Sequence, residues 1–284
     1  MDKKFYFMIV LAAFFYSMYL IINRVYLVDG LFPLNFACGS GLSAAFFSSV
    51  FLIFSKKIEE VKRLDRKDLT HILILGLVVG FFFRLILFFG QSLTTATNAG
   101  FLLRTAPLFA LMFGYIFMRE FITKKHMLMM LIMLSGVYLL TTGGKLIPNL
   151  GDLLLISGGV IIGFDQAFSR KMMRKGVAPD VLTSLTMITG GILLYLFVII
   201  FSSFSFIGWE IYLLSGLLIF LSVFARNLGL RHIKAGITSS ILLLNPVFTA
   251  IMGIGLLHER ITSLQLLGGV IILLGGYLII RIKS

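Results

Sequence analysis

Ten uninterrupted apolar runs, separated by short polar connections, make up nearly the whole chain. They lie near 5–27, 34–54, 70–90, 96–117, 126–142, 152–169, 180–202, 209–229, 236–257 and 264–282. Each is roughly 20 residues long, the length an α-helix needs to cross a bilayer. The strict polar–apolar alternation of a transmembrane barrel is missing. The pattern predicts an all-α polytopic membrane protein with ten transmembrane helices. The longest connection, 55–69, reads "SKKIEEVKRLDRKDL", and no stretch of soluble-domain composition is left over. Whatever the chain does must be done among its helices. No small-residue cleavage site follows the first run, which is therefore expected to stay as a helix.

Composition agrees. Of 284 residues 59% are hydrophobic and 13% charged, and the mean hydropathy is +1.04, too little polar surface for a soluble domain. A formal charge of +13 would suit a nucleic-acid binder, but its placement points to topology instead. With the N-terminus in the cytoplasm, that side receives Lys3 and Lys4, six bases between Lys56 and Lys67, and Arg119, Lys124 and Lys125. It also receives Arg170, Lys171, Arg174, Lys175, Arg226, Arg231, Lys234, Arg281 and Lys283, making twenty of the 25 basic residues. The opposite side gets Lys145 and Arg260, while Arg24, Arg84 and Arg104 fall inside apolar runs. The bias predicts a multi-pass protein of the cell membrane with both termini cytoplasmic. Cys38 is the single cysteine, so no intrachain disulfide is expected.

The chain also repeats itself. "ATNAGFLLRTAPLFALMFGYIFMREFITKKHMLMMLIMLSGVYLL", from Ala96, aligns without a gap on "AGITSSILLLNPVFTAIMGIGLLHERITSLQLLGGVIILLGGYLI", from Ala235. That offset superposes Pro107 on Pro246, Gly114 on Gly253, Glu120 on Glu259, Thr123 on Thr262 and Tyr138 on Tyr277. Earlier in each half a second offset superposes Arg24 on Arg170, Gly30 on Gly176 and Pro33 on Pro179. Two five-helix repeats are expected, 1–143 and 150–284. Five is odd, so the second repeat starts on the opposite face, and the halves are predicted to be inverted about an axis in the membrane plane. That architecture recurs in secondary transporters, with substrate held at mid-membrane between the repeats.

The doubled pattern "A…P…G…E…IT…G…Y", clearest in "GLLHERITSLQLLGGVIILLGGYLII", resembles the EamA-type family of the drug/metabolite transporter superfamily across both repeats. The resemblance implies transport of amino acids or small metabolites, often efflux. It also implies a central cavity lined mainly by helices 1, 3, 4, 6, 8 and 9. It names no substrate.

The candidate site residues are the polar groups inside apolar runs. Arg84 and Arg104 have no acidic neighbour in sequence. Helices 3 and 4 are joined by a short connection, so the two guanidiniums are placed to converge on a carboxylate or phosphate. The alternatives are carbonyl capping, snorkelling or a distant acid. Arg24 ends helix 1 as Arg170 ends helix 6; a base kept at a helix end in both halves reads as an anchor or a C-terminal dipole partner, with a ligand role for Arg24 as the alternative. Asp165 is the acid well inside a run; it either neutralises an arginine across the repeats, carries a coupling proton or holds a substrate amine. Gln166, Asn245 and Asn98 are neutral lining candidates. Pro107 and Pro246 kink helices 4 and 9 and are the hinge candidates. Glu120 and Glu259 read as caps of the helices that follow. Glycine pairs such as Gly158–Gly159 and Gly190–Gly191, and the spacing Gly76–Gly80, read as close-packing sites.

No paired-histidine, Walker-type or aspartate-rich motif is present, so a catalytic residue, a metal and a cofactor are not expected, proton coupling aside. The reading is a secondary-active transporter working by alternating access on a small anionic or zwitterionic metabolite, with an amino acid first. An organic acid or phosphate ester is the alternative, and an intramembrane enzyme or non-transporting adaptor lies further off. Its partners are a small molecule and the bilayer, not nucleic acid, and monomer and homodimer both stay open.

Overall fold

The computed structural model describes residues 3–28, 33–93, 101–142, 149–202, 204, 208–258 and 262–282, without the side chains of 23–28, 33, 88, 91, 92 and 257. All regular structure among them is helical. The spans are α1 (Lys3–Val28), α2 (Pro33–Phe54), α5 (Lys124–Thr142), α6 (Leu150–Arg174), α7 (Pro179–Phe201), α8 (Trp209–Leu230) and α10 (Ser263–Arg281). With them go α3 (Arg66–Leu87), α4 (Leu103–Met118) and α9 (Ala235–Leu256). Nine are long and apolar enough to cross a membrane, and α4 is a shorter apolar helix. A spanning chain must satisfy every backbone polar group internally, which long apolar helices do. Most span ends fall within a turn of the sequence reading. The connection 55–69 carries a short helix, Ile58–Lys62.

Helix pairing follows a simple rule. α1 packs on α8 and α3 on α6; α4 on α6 and α9 on α1; α2 on α8 and α7 on α3; α2 also meets α7, and α5 meets α10. Exchanging each helix for the one five places away turns this set of pairs into itself.

The backbone repeats in finer detail. A 3-10 turn at Leu103–Thr105 precedes Ala106 and Pro107, and another at Leu242–Leu244 precedes Asn245 and Pro246. A proline inside a helix removes a donor and collides with the preceding turn. Here each helix tightens and restarts with its proline in the new first turn, where a missing N–H costs little. α4 then ends on Arg119 at φ 54° and α9 on His258 at φ 53°, both left-handed. Thr123 and Thr262 open α5 and α10 by accepting from the amides of His126 and Gln265.

Close approach is bought with glycine. A Cβ on Gly163 of α6 would lie 2.5 Å from Phe109 Cβ, and one on Gly159 would lie 2.9 Å from Thr105 Oγ1. α4 therefore lies against α6 along its broken segment. A Cβ on Gly80 would sit 2.3 Å from the Cα of Gly190, where α3 passes through a π-helical turn, Gly76–Phe82, against α7. Large apolar side chains such as Phe54, Ile200 and Phe201 point outward, the surface that lipid covers.

Candidate functional site

The α4–α5 and α8–α9 turns and the ends of α3 and α6 meet at one end of the bundle. Lys234 Nζ donates to the Phe121 carbonyl (2.8 Å), Lys175 lies 3.5 Å from Asp68, and Phe5 at the start of α1 stacks on His232. This end is the basic face. Polar groups rise from it in three layers.

The first layer joins the two halves. Arg170 Nε donates to Glu120 Oε1 at 2.5 Å, and Arg174 Nη1 lies 3.6 Å from the same oxygen. Glu120 Oε2 accepts from the Ala235 amide (3.3 Å), and Arg170 Nη1 donates to the Leu230 carbonyl at 2.5 Å. Both side chains of the Glu120–Arg170 pair are less than a tenth exposed. Glu120 therefore caps the first turn of α9, in the other half, rather than its own α5, which Thr123 caps. The expectation that Glu120 caps the following helix is corrected here; Arg170 is not a simple anchor but a buried ion-pair partner that also meets the last carbonyl of α8. The two charges lie fifty residues apart in sequence and meet only because α4 packs on α6. The repeat carried a signal for them: an acid and a base are each kept in both halves.

The second layer lies within the second half. Arg226 Nη1 donates to Asp165 Oδ2 at 2.5 Å, and Ser169 Oγ donates to Oδ1 at 3.0 Å. Arg226 Nε and Nη2 reach Asn227 Oδ1, and Asn227 Nδ2 donates to Thr183 Oγ1 at 2.9 Å. The network ties α6, α8 and α7. Asp165 does neutralise an arginine, but one of its own half rather than across the repeats. Charge bias alone assigns Arg226 to topology. Its long side chain reaches up from about 6 Å inside the end of α8 to meet Asp165, about 14 Å from the end of α6, at ~1.5 Å of rise per residue. It already lay within the predicted apolar run 209–229.

The third layer lies deeper in the bundle. Counting ~1.5 Å per residue from the basic face, Asn245 lies about 15 Å in, Tyr16 about 20 Å and Arg104 about 21 Å. Arg104 occupies the 3-10 break of α4. Its side chain is partly buried and its Nε is sealed from solvent without a partner. Among the described residues no ion pair or hydrogen bond to it is found. Tyr16 of α1 lies in the electrostatic neighbourhood of Arg104 and, more weakly, of Arg84. Arg84, about 27 Å in, spends Nη1 on the Ala37 carbonyl (2.8 Å), with Ser40 Oγ at 3.5 Å. This is the carbonyl-capping alternative, realised through one of its nitrogens.

Asn245 and Gln166 are buried, and among the described residues Oδ1 of the first and Oε1 of the second have no partner. The Asn245 carbonyl accepts from Ser17 Oγ of α1 at 2.9 Å. Pro107 and Pro246 stand just beyond the helix breaks, buried. The Arg24 side chain and the whole of Asn98 lie outside the described residues, as does Glu259. No group of His, Cys, Asp and Glu suited to a metal occurs among the described residues.

Comparison with known proteins follows the same division of the chain. The EamA-like transporter family matches residues 3–142 and again 149–281. An uncharacterized transporter of Archaeoglobus fulgidus is 27% identical over 258 residues, 88% of this chain and 91% of its own. The uncharacterized transporter YyaM of Bacillus subtilis is 28% identical over 83% of this chain and 80% of its own. A solved crystal structure superposes with a TM-score of 0.80 over 99% of this chain and 98% of its own, at 16% identity, a likeness of fold.

Proposed function

The chain belongs to the EamA-like transporter family, and on that premise we propose that it moves a small carboxylate-bearing metabolite, an amino acid first, by alternating access. Arg104 carries the reading. A guanidinium at membrane depth costs about 2.5–3.5 kcal/mol on insertion scales, and ion pairs offset that cost for Arg226 and Arg170 but not for Arg104. A bound carboxylate would supply the missing partner, with Tyr16 as a second donor and Arg84 behind it. Of the buried acceptors on α6 and α9, Asn245 Oδ1 lies nearest the depth of Arg104 and suits the amine of an amino acid best. Asp165 is less suited to that amine, because Arg226 holds it; it is better placed as a coupling proton site that would open as the pair separates.

In this reading the basic face is cytoplasmic, and the two lower layers close the path to it. Alternating access would part the Glu120–Arg170 and Asp165–Arg226 pairs while closing the opposite side. The breaks before Pro107 and Pro246 are the hinges, and the halves are inverted repeats, as the self-mapping helix pairs and shared break geometry support. The family and the want of a catalytic motif favour transport over an intramembrane enzyme.

A thermal-shift screen on purified protein tests the site, pairing each amino acid or organic acid with its uncharged amide. Carboxylates should stabilise the wild type, their amides should not, and Arg104→Gln should abolish the difference. Stabilisation of Arg104→Gln by the same carboxylates to the same extent would refute the assignment. Preference for dicarboxylates or phosphate esters over amino acids would move the substrate to the alternative class.

A further inference from the structure

A depression of about 580 Å³ opens on the basic face directly over the Glu120–Arg170 pair. Its ionisable lining is Arg119, Glu120, Arg170, Arg174, Arg231 and Lys234, five bases against one acid. Two of the bases are already used. Arg170 is spent on Glu120 and the Leu230 carbonyl, and Lys234 on the Phe121 carbonyl. Arg119 rests over the Tyr115 ring, its Nη1 on the phenol oxygen (3.0 Å). Arg174 has only a 3.6 Å approach to a carboxylate oxygen that Arg170 already holds. Arg231 has no side-chain hydrogen bond or ion pair among the described residues; it terminates α8 with its guanidinium exposed.

We propose that this depression is a binding site for a phosphate group, separate from the site at Arg104. A carboxylate is already present in Glu120 and leaves most of the positive charge unmatched, so the ligand needs more than one acceptor oxygen. Phosphate offers several, in the fork geometry that guanidinium groups recognise. Arg119 comes from the first half of the chain, Arg174 and Arg231 from the second. A phosphate held between them adds a tie across the halves at the point where Glu120 and Arg170 already join them. Occupancy should therefore hold the basic face closed. The phosphate comes either from the headgroup of an acidic phospholipid, for which basic pockets between spanning helices are suited, or from a free phosphorylated solute.

The test uses the full-length purified protein, stripped of lipid, with Arg174→Gln/Arg231→Gln and the single Arg231→Gln. The single variant removes a side chain without a described partner, so it folds even if the double does not. Inorganic phosphate binding is read by calorimetry against chloride at matched ionic strength. Retention of phosphatidylglycerol over phosphatidylcholine is read by native mass spectrometry. Losing one charge-assisted contact should weaken binding about tenfold, and losing both about a hundredfold. Retention of phosphatidylglycerol by wild type and not by the variants assigns a lipid headgroup. Phosphate binding without lipid retention assigns a free solute. Wild type that binds neither, or variants that bind as well as wild type, overturn the site.

Discussion

The two matched halves make the same break in the same helix and fill it differently. At 103–107 and at 242–246 a 3-10 turn leads into a proline in the first turn of a new helical segment. In the first half the break carries Arg104, with Tyr16 of α1 nearby. The corresponding residues of the second half, by the two repeat offsets, are Leu243 and Ile162. Leu243 is fully packed in an apolar cluster. The break is thus scaffold, since an apolar half forms it as readily as a charged one. The charge is an addition made on one side only. The reverse holds for Asp165, which stands where the first half has Tyr19. Each half adds a charge the other lacks, and among the described residues only Asp165 of the two has a partner.

The largest way to break that comparison is to take the partner from Asp165. Arg226→Ala leaves a buried carboxylate unpaired and should cost about 3–5 kcal/mol, read as a fall in denaturation midpoint in detergent. Asp165→Asn combined with Arg226→Gln should recover much of the loss, since neither charge is then stranded. Equal damage from the double variant would mean that Arg226 acts through packing instead.

Glu120→Gln comes next. It keeps the shape but leaves Arg170 without its counter-charge, at about 1–3 kcal/mol. It should also raise labelling of a cysteine placed at the buried Ala235, whose amide Glu120 holds, by a water-soluble reagent, as the tie between halves loosens. Unchanged labelling would remove Glu120 from any gating role. An effect of similar size is expected from Gly163→Ala, whose new Cβ would press on Phe109 and on the Ala110 backbone nitrogen. Overpacking there should cost roughly 1–3 kcal/mol. The smallest concerns the shared scaffold. Pro107→Ala and Pro246→Ala should each change stability by about 1 kcal/mol or less, and by similar amounts, because both prolines occupy first-turn positions. Markedly unequal effects would show that the two breaks do different jobs.

Sequence and structure part company at a definite scale. Span number and ends were legible because each run must cross a bilayer of fixed thickness, and lysine and arginine collect in particular turns. The packing glycines were legible because close helix contact leaves no room for a Cβ. The partners of charged residues were not. Arg226 lies four residues from the end of α8, where position alone cannot distinguish a guanidinium facing headgroups from one reaching inward to Asp165. Glu120 sits before a helix start, where local rules predict a cap. That it caps α9 of the other half depends on how α4 lies on α6 and α9. For Arg104 the sequence raised the question of an intramembrane charge. The structure adds that no described side chain answers it.

Arg104→Leu makes the first half resemble the second, and its stability and transport, measured together, test the account most directly. Removing an unpaired guanidinium and keeping the helix break should leave the melting temperature in lipid nanodiscs unchanged or higher. Uptake of the carboxylate substrate into proteoliposomes should fall to background. A variant that transports normally, or one that loses stability in step with activity, would contradict the claim that Arg104 is kept for a ligand rather than for the fold.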